Sequence, residues 1–290
     1  MAPFAAVGRQ IAALCGAPCA PAPARSVGDN CYRWSAGATP LFVKIGSGER
    51  LAAFEAESAG LAQLAAAGAL RVPQLRACGV AEGAAFLALE WLESGPADEG
   101  CLRRLGAGLA AQHAVTAPAY GWQQDNTIGR TPQRNDWSAD WAQFFVERRL
   151  RPQLCLAAAN GFADGLAERG DELLQACPAL LAGHRPAASL LHGDLWGGNW
   201  LASGGEPVIF DPAVYFGDRE ADLAMTRLFG GFAAPFYEAY EAAAPLPRGA
   251  PLRAELYNLY HLLNHVNLFG QGYVRQARAS IERLLAAMRG

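Results

Sequence analysis

The first third of the chain alternates between helical and strand periodicities. Apolar residues recur at helical spacing at Phe4, Val7, Ile11 and Leu14, and this pattern predicts a first helix. The segments that follow predict strands over 30–34, 41–45, 75–80 and 84–91, and a helix over 51–70 that ends near Gly68. This part of the chain is therefore expected to be a small sheet with one inserted helix.

The remainder of the chain shows mainly helical periodicity. A polar segment rich in glycine and proline over 92–100 is typical of a link between two parts of a protein. Beyond it the pattern predicts helices over 102–115, 137–159, 162–181, 222–228, 235–243, 252–269 and 273–288. The exception is 190–211, where a glycine-rich loop precedes a turn and the short strand 208–210.

Composition narrows the class of protein. The chain has 290 residues, of which 52% are hydrophobic and 18% charged, as in globular proteins of one large or two smaller domains. Its net charge of −3 offers no basis for binding nucleic acid. No apolar run reaches the roughly 20 residues of a membrane helix. The apolar stretch after Arg9 is similar to a signal peptide, but Gly16 and Pro18 interrupt it.

The cysteines indicate a cellular compartment. The seven cysteines are odd in number and scattered along the chain, which is typical of free thiols rather than of a disulfide framework. We therefore expect a cytoplasmic protein.

Five polar residues occur in an order that has chemical meaning. Lys44, the only lysine of the sequence, lies on a predicted strand, and Glu57 lies on the next helix. Asp194 and Asn199 follow in the segment HGDLWGGN, and Asp211 ends a strand. Protein kinases share this order: the lysine reaches the phosphates, an aspartate takes the acceptor's proton, and carboxylate and amide oxygens bind Mg²⁺. The order predicts a kinase that uses ATP and Mg²⁺.

Each of these residues by itself has a plainer interpretation. Lys44 could be a strand residue whose apolar stem packs on the surface. Glu57 could be a solvated helix residue, and Glu55 competes with it from a different helix face. Asp194 and Asn199 could be turn residues. The joint order and spacing favour the kinase interpretation.

Longer motifs then indicate a family. They are LFVK at 41–44, FEAE at 54–57, LEWLE at 89–93, DNTIGRTPQRNDW at 125–137, WAQFFVERRLRPQL at 141–154, LHGDLWGGN at 191–199, VIFDPAVYFGDREADLAMTRLFGGF at 208–232 and LYHLLNHVNLFGQGY at 259–273. With these motifs the chain resembles the fructosamine-3-kinase (ketosamine kinase) family, relatives of aminoglycoside phosphotransferases. The resemblance implies an α+β, protein-kinase-like fold with two lobes. They are a small β-rich nucleotide-binding lobe over 1–92 and a larger, mainly helical lobe over 93–290 with the catalytic loop and substrate cleft.

The resemblance also implies roles for individual residues. Asp194 would be the catalytic base, Asn199 and Asp211 the magnesium ligands, Lys44 the phosphate-binding lysine and Glu57 its ion-pair partner. The backbone of Glu90, Trp91 and Leu92 would bind adenine, and Gly28 would lie in the phosphate-binding loop, which has fewer glycines than is usual in the family. Asp222 and His192 would hold the backbone of the catalytic loop.

Substrate-binding residues are less determined by the motifs. The resemblance places candidates along the acceptor cleft, namely Trp196, Gln133, Asn135, His265 and Asn267. An equally open alternative is that these side chains join helices to one another.

The expected activity is ATP- and Mg²⁺-dependent phosphorylation of a sugar hydroxyl, at the third carbon, of a ketosamine. The substrate would be a small-molecule or protein-bound ketosamine, and phosphorylation would lead to deglycation. The alternatives are a kinase of another hydroxylated amine, such as an aminoglycoside or a choline-like compound, and a nucleotide-binding pseudokinase with a regulatory role.

Overall fold

The computed structural model describes residues 4–16, 25–36, 39–163 and 165–288. Cys19, one of the predicted free thiols, and part of the predicted turn over 35–40 lie outside these ranges. The chain forms two compact units, Met1–Cys101 with Trp200–Asp211, and Leu102–Asn199 with Pro212–Gly290. We call them the first and the second unit. The functional division between residues 92 and 93 stays a prediction.

The strands and helices are numbered along the chain. The strands are β1 (Arg25–Gly28), β2 (Cys31–Ala36), β3 (Thr39–Ser47), β4 (Leu75–Ala81), β5 (Ala84–Glu90), β6 (Thr116–Ala117), β7 (Asn126–Ile128), β8 (Thr131–Gln133), β9 (Ala188–Leu191), β10 (Trp200–Ser203), β11 (Glu206–Ile209) and β12 (Tyr215–Gly217). The helices are α1 (Phe4–Cys15), α2 (Leu51–Ala67), α3 (Glu99–His113), α4 (Trp141–Phe145), α5 (Arg151–Ala159), α6 (Ala167–Leu180), α7 (Glu220–Leu228), α8 (Ala234–Ala243), α9 (Ala250–Phe269) and α10 (Val274–Ala287).

The first unit contains an antiparallel sheet of five strands in the order β1-β2-β3-β5-β4. Alternate residues of β3 enter its core, and Val7 and Ile11 of α1 pack in the same cluster. The predicted amphipathic first helix is thus confirmed. Helix α2 ends at Ala67 because Gly68 adopts the left-handed conformation, with φ of +64°.

A hairpin from far along the chain also belongs to the first unit. Strands β10 and β11 pair with each other, and two further bonds tie them to this unit. The amide of Ile209 donates to the carbonyl of Arg71 at 3.0 Å, and the amide of Gly95 donates to that of Ala202 at 2.8 Å. These bonds place Asp211, which follows β11, in the same unit as Lys44.

The second unit is mainly helical, as the sequence predicts, but it also contains short strands. Strands β12, β9 and β6 form one small sheet, and β7 and β8 form a hairpin. The helix predicted from residue 137 begins at Trp141, because the carboxylate of Asp140 accepts the amide of Gln143 at 2.7 Å and caps it. A π-helical turn, Val146–Leu150, joins α4 to α5. The helix predicted from residue 162 begins at Ala167.

Among the described residues, no helix combines the length and the apolar character needed to cross a membrane.

Candidate active site

Lys44 lies on β3 between two core residues. Val43 and Ile45 are buried in the sheet core, so strand alternation turns Lys44 toward the opposite face. There its Nζ donates to Oε1 and Oε2 of Glu57 at 2.9 and 3.0 Å, and to the carboxylate of Asp211. Three residues predicted to bind nucleotide and metal therefore form one cluster in the first unit.

The three charged side chains of this cluster differ in their exposure to solvent. The side chains of Lys44 and Glu57 are 15% and 14% exposed, whereas that of Asp211 is 44% exposed. Burial alone would lower the pKa of Lys44, but the charges of Glu57 and Asp211 outweigh it and raise that pKa. Burial and the nearby Asp211 carboxylate raise the pKa of Glu57, although Lys44 acts in the opposite direction. Lys44 is therefore a cation shared between two carboxylates, one of them accessible.

Gly28, the predicted phosphate-loop residue, lies in the same sheet as Lys44. It ends β1 and pairs with Cys31 of β2, which in turn pairs with Lys44 of β3. Between β1 and β2, Asn30 adopts a φ of +55°, and its carbonyl accepts the amide of Ile45 at 2.9 Å. The β1–β2 turn is thus held against the strand that carries the lysine.

The predicted adenine-binding segment follows β5. The amide of Glu90 donates to the carbonyl of Gln74 at 2.9 Å, and that of Trp91 donates to the carbonyl of Pro40 at 3.3 Å. These bonds use two of the three backbone amides of the segment, and within the described part of the chain the amide of Leu92 donates to no backbone carbonyl.

The predicted catalytic loop, residues 192–199 of the second unit, is held at its start by Asp222. Asp222 Oδ2 accepts the amide of His192 at 2.7 Å, and Oδ1 accepts the amide of Gly193 at 2.8 Å. His192 is buried, and its Nδ1 accepts the amide of Asp194 at 3.3 Å. The predicted role of Asp222 and His192 in holding the loop backbone is confirmed.

A further set of hydrogen bonds holds the carboxylate of Asp222 itself. Nε2 of His113 donates to Asp222 Oδ2 at 3.1 Å, and Nδ1 of His113 lies 2.8 Å from the Tyr240 hydroxyl. That hydroxyl also accepts from Arg219 at 3.0 Å. Burial would raise the pKa of Asp222, but His113 and the amide of Gly193 lower it below its ordinary value. Asp222 is thus an ionised anchor for the loop. His113 on α3 and Tyr240 on α8 were not predicted from the sequence.

The two ends of the catalytic loop meet through Asn199. Asn199 Nδ2 donates to the carbonyl of Asp194 at 2.8 Å and to its Oδ2 at 3.2 Å. Because the amide nitrogen is used in this way, the side-chain oxygen of Asn199 is left as an acceptor. The structure therefore brings together the predicted base and one predicted metal ligand.

Gln133 and Asn135, two of the predicted substrate residues, are each 1% exposed. Gln133 donates to Asn126 at 2.8 Å and accepts from the Tyr260 hydroxyl at 2.6 Å. Asn135 donates to Asn126 at 2.9 Å and accepts from the Arg149 guanidinium at 2.7 Å. These bonds favour the alternative in which both side chains join elements of the second unit.

Trp196 and His265 are connected by a residue that the sequence analysis did not single out. The ring of Phe229 lies 6.3 Å from that of Trp196 and 4.5 Å from that of His265. Phe229 belongs to the motif at 208–232, which is the signal that could have identified it. Asn267 instead donates to Gln153 Oε1 at 2.7 Å, which favours a packing role.

His261 is a further residue that the sequence analysis missed. It lies on α9, is 4% exposed, and its Nδ1 is 4.0 Å from Asp194 Oδ1. Burial lowers its pKa to about 3, and His265 contributes to the shift, so the ring is neutral. The available signal was its position four residues before His265, on one helix face.

Comparison with known proteins identifies the family of this chain. A family model described as Fructosamine kinase matches residues 5–287. A protein of Synechocystis sp. named "Probable ketoamine kinase" is 43% identical over 98% of this chain and 97% of its own length. The chloroplastic protein-ribulosamine 3-kinase of Arabidopsis thaliana is 38% identical over 91% of this chain and 83% of its own length.

Solved structures agree with the sequence comparison. A crystal structure of a Haemophilus somnus protein named "Putative fructosamine-3-kinase" aligns with a TM-score of 0.91 at 29% identity, over 97% of both chains. An aminoglycoside phosphotransferase aligns with a TM-score of 0.63 at 16% identity, over 98% of this chain and 99% of its own. The second likeness concerns the fold alone, and it confirms the predicted α+β, protein-kinase-like fold class. With a family model that spans nearly its whole length, this chain belongs to the fructosamine kinase family.

Proposed function

We propose that this protein phosphorylates the hydroxyl on the third carbon of ketosamines, with ATP and Mg²⁺. As a member of a kinase family, it is a phosphotransferase. The observation that carries the proposed chemistry is the carboxylate of Asp194, which Asn199 contacts and whose loop Asp222 holds by two backbone amides. The ketosamine class is supported by relatives named as ketoamine and ribulosamine kinases along nearly the whole chain.

Asp194 would act as the catalytic base. Its side chain is 22% exposed, so an acceptor hydroxyl can reach it, while its loop is held by buried bonds. A carboxylate that accepts the hydroxyl proton orients the oxygen for attack on phosphorus. Phosphoryl transfer depends largely on such positioning, which a restrained loop supplies.

The cluster around Lys44 would bind the phosphates of ATP. Lys44 is a cation held by a shielded Glu57 and a more exposed Asp211. Glu57 would keep the ammonium in place, whereas Asp211 would exchange the lysine for a metal ion. The backbone amide of Leu92 would donate a hydrogen bond to adenine. The β1–β2 turn with Gly28 would lie over the phosphates.

Each of the two predicted metal ligands offers an oxygen of the kind that Mg²⁺ binds. Asp211 supplies a carboxylate, and Asn199 has an amide oxygen left as an acceptor because its nitrogen binds Asp194. Mg²⁺ prefers such oxygen ligands and commonly keeps waters and phosphate oxygens as the others. When bound, the ion would neutralise charge on the transferred phosphoryl group.

Replacement of Glu57 tests the role of Lys44. Glu57→Gln removes the shielded partner of Lys44, so we expect the KM for ATP to rise about tenfold or more, as for other buried charge pairs that lose one member. The matched control is Glu55→Gln, an exposed residue of the same helix that should leave the KM unchanged. Steady-state kinetics with varied ATP measures both. Equal KM values for the two variants would contradict the proposed pairing.

Phosphorylation at the third carbon would explain deglycation. Phosphate is a better leaving group than hydroxide, so a ketosamine 3-phosphate would lose phosphate together with a proton from the carbon next to the amine. Water would then hydrolyse the resulting C=N bond and release the amine. The enzyme would therefore need to supply only the phosphoryl transfer.

A panel of acceptors tests the substrate class. Fructosamine, ribulosamine and erythrulosamine adducts of lysine would be compared with aminoglycosides and choline for ADP formation, and ³¹P NMR would locate the phosphate. We expect turnover with ketosamines and a phosphate on the third carbon. Turnover confined to aminoglycosides or choline would overturn the substrate class, and Mg²⁺-dependent ATP binding with no phosphorylated product would favour a pseudokinase.

A further inference from the structure

His261 carries a buried polar atom with no partner. Its Nδ1 is buried and, among the described residues, makes no hydrogen bond. Burying such an atom without a partner costs free energy, so its presence in a native protein calls for an explanation. The ring is held in place by α9 and by the edge-on contact with Tyr260, at a centroid distance of 5.2 Å.

The carboxylate of Asp194 lies close to this atom. Nδ1 lies 4.0 Å from Asp194 Oδ1, about 1 Å beyond a hydrogen bond. The terminal torsion of an aspartate is soft, so the carboxylate can turn to close this gap. Its other oxygen, Oδ2, already accepts from Asn199 at 3.2 Å.

We propose that His261 is a positioning residue whose Nδ1–H donates to Asp194 Oδ1 during catalysis. Together with Asn199 on Oδ2, this second donor fixes the plane of the carboxylate. Each carboxylate oxygen keeps a further lone pair, so the acceptor hydroxyl can still be bound. This inference rests on the proposed function, in which Asp194 is the base.

The surroundings of the ring suit a neutral donor. Arg149 and His265 disfavour a charged imidazole at this position, Asp222 favours it, and burial decides for the neutral form. A neutral imidazole carries one N–H, and a carboxylate can only accept. The proposal therefore requires the proton of the neutral ring to lie on Nδ1.

Substitutions at His261 test whether this residue acts as a hydrogen-bond donor to Asp194 or only packs against its neighbours. His261→Asn keeps an N–H near the position of Nδ1, whereas His261→Leu removes it. We expect His261→Leu to lower kcat about 10- to 100-fold, as expected for a misplaced catalytic group, with the KM for ATP unchanged. His261→Asn should recover most of kcat. Wild-type kcat in His261→Leu, or equal losses in both variants, would overturn the inference.

A double-mutant cycle tests the role of His261 separately from the role of Asp194 as the base. If His261 acts through Asp194, His261→Leu should change the residual kcat of Asp194→Asn less than about twofold. A full further loss would overturn the inference and leave the proposed function standing. Wild-type kcat in Asp194→Asn would instead refute the proposed function. Leu263→Ala, a buried substitution on the same helix, controls for lost stability and should keep kcat.

The tautomer of His261 can be measured in the wild-type protein, so this test does not depend on whether a variant folds. The chain has five histidines, so ¹⁵N-labelled imidazoles can be resolved by NMR in the wild-type protein. We expect His261 to be neutral with its proton on Nδ1. A proton on Nε2 would overturn the inference, because Nδ1 would then face the carboxylate as an acceptor.

Discussion

Asp194→Asn is expected to lower the kcat of ketosamine phosphorylation by about 10²- to 10⁴-fold, the usual contribution of a general base. The amide keeps the size of the carboxylate and can still accept from Asn199, so the loop should keep its conformation. The residues proposed to bind ATP, Lys44 and Glu57, are untouched. ATP affinity, measured by calorimetry, should therefore remain near that of the wild type.

The control for this variant is Asp171→Asn, an exposed aspartate of α6. It makes the same chemical change away from the catalytic loop, and its kcat should equal that of the wild type. An Asp194→Asn enzyme that turns over at the wild-type rate would refute the role of Asp194 as base. Loss of ATP binding together with kcat would show that the substitution disturbs more than the proton acceptor.

Gly193→Ala is expected to destabilise the protein by about 2–4 kcal/mol and to lower kcat about 100-fold. Gly193 has a φ of +83°, in the left-handed region that disfavours a side chain. An added Cβ would lie 2.1 Å from the carbonyl oxygen of Ala213, so the backbone must shift. This shift would strain the bond between the Gly193 amide and Asp222 and displace the neighbouring Asp194. Urea unfolding and steady-state kinetics measure the two effects.

Gly197→Ala is the matched control in the same loop. Apart from its two chain neighbours, no atom of the described residues would lie within 4 Å of an added Cβ at Gly197, and Gly197 lacks a positive φ. The expected change in the free energy of unfolding is within about 0.5 kcal/mol. Comparable losses in the two variants would mean that the loop tolerates no side chain at either glycine, and would contradict the account of Gly193.

Local periodicity predicted most of the secondary structure. The first helix, the strands around Lys44 and the long helix α9 depend on apolar spacing that the neighbouring residues themselves carry. Helix starts were less accurate, because a capping side chain such as Asp140 decides the first turn. Short strands such as β6 and β12 were missed, since two or three residues show no recognisable period.

Part of the site was also predictable, because its residue types occur in the order of a kinase. Lys44 pairs with Glu57 rather than with Glu55, as the strand and helix faces require. Asn199 contacts Asp194 within a short loop, where chain connectivity keeps them close. Asp222 was identified as a loop anchor through its motif, and the structure supplies the two amides that it binds.

For other residues of the site, the sequence offers at most a helix face or a motif and does not show which side chains they contact. His113, Tyr240 and His261 lie on three separate helices, and nothing in their local spacing indicates a loop around residue 194. Phe229 joins Trp196 to His265 through contacts between distant segments. Whether Gln133 and Asn135 bind substrate or join elements of the second unit depends on how many polar partners surround them inside the protein. That number is a property of the packed structure.

The sequence by itself determined the helices and strands, the family and the residue types available for phosphoryl transfer, because periodicity and motif order are local properties of the chain. Only the tertiary structure decided which of those side chains are buried, which donors each carboxylate has, and that the hairpin before Asp211 returns to the sheet of Lys44. The physical reason is that burial and hydrogen-bond partners depend on contacts between residues far apart in sequence. Such contacts exist only once the core has packed.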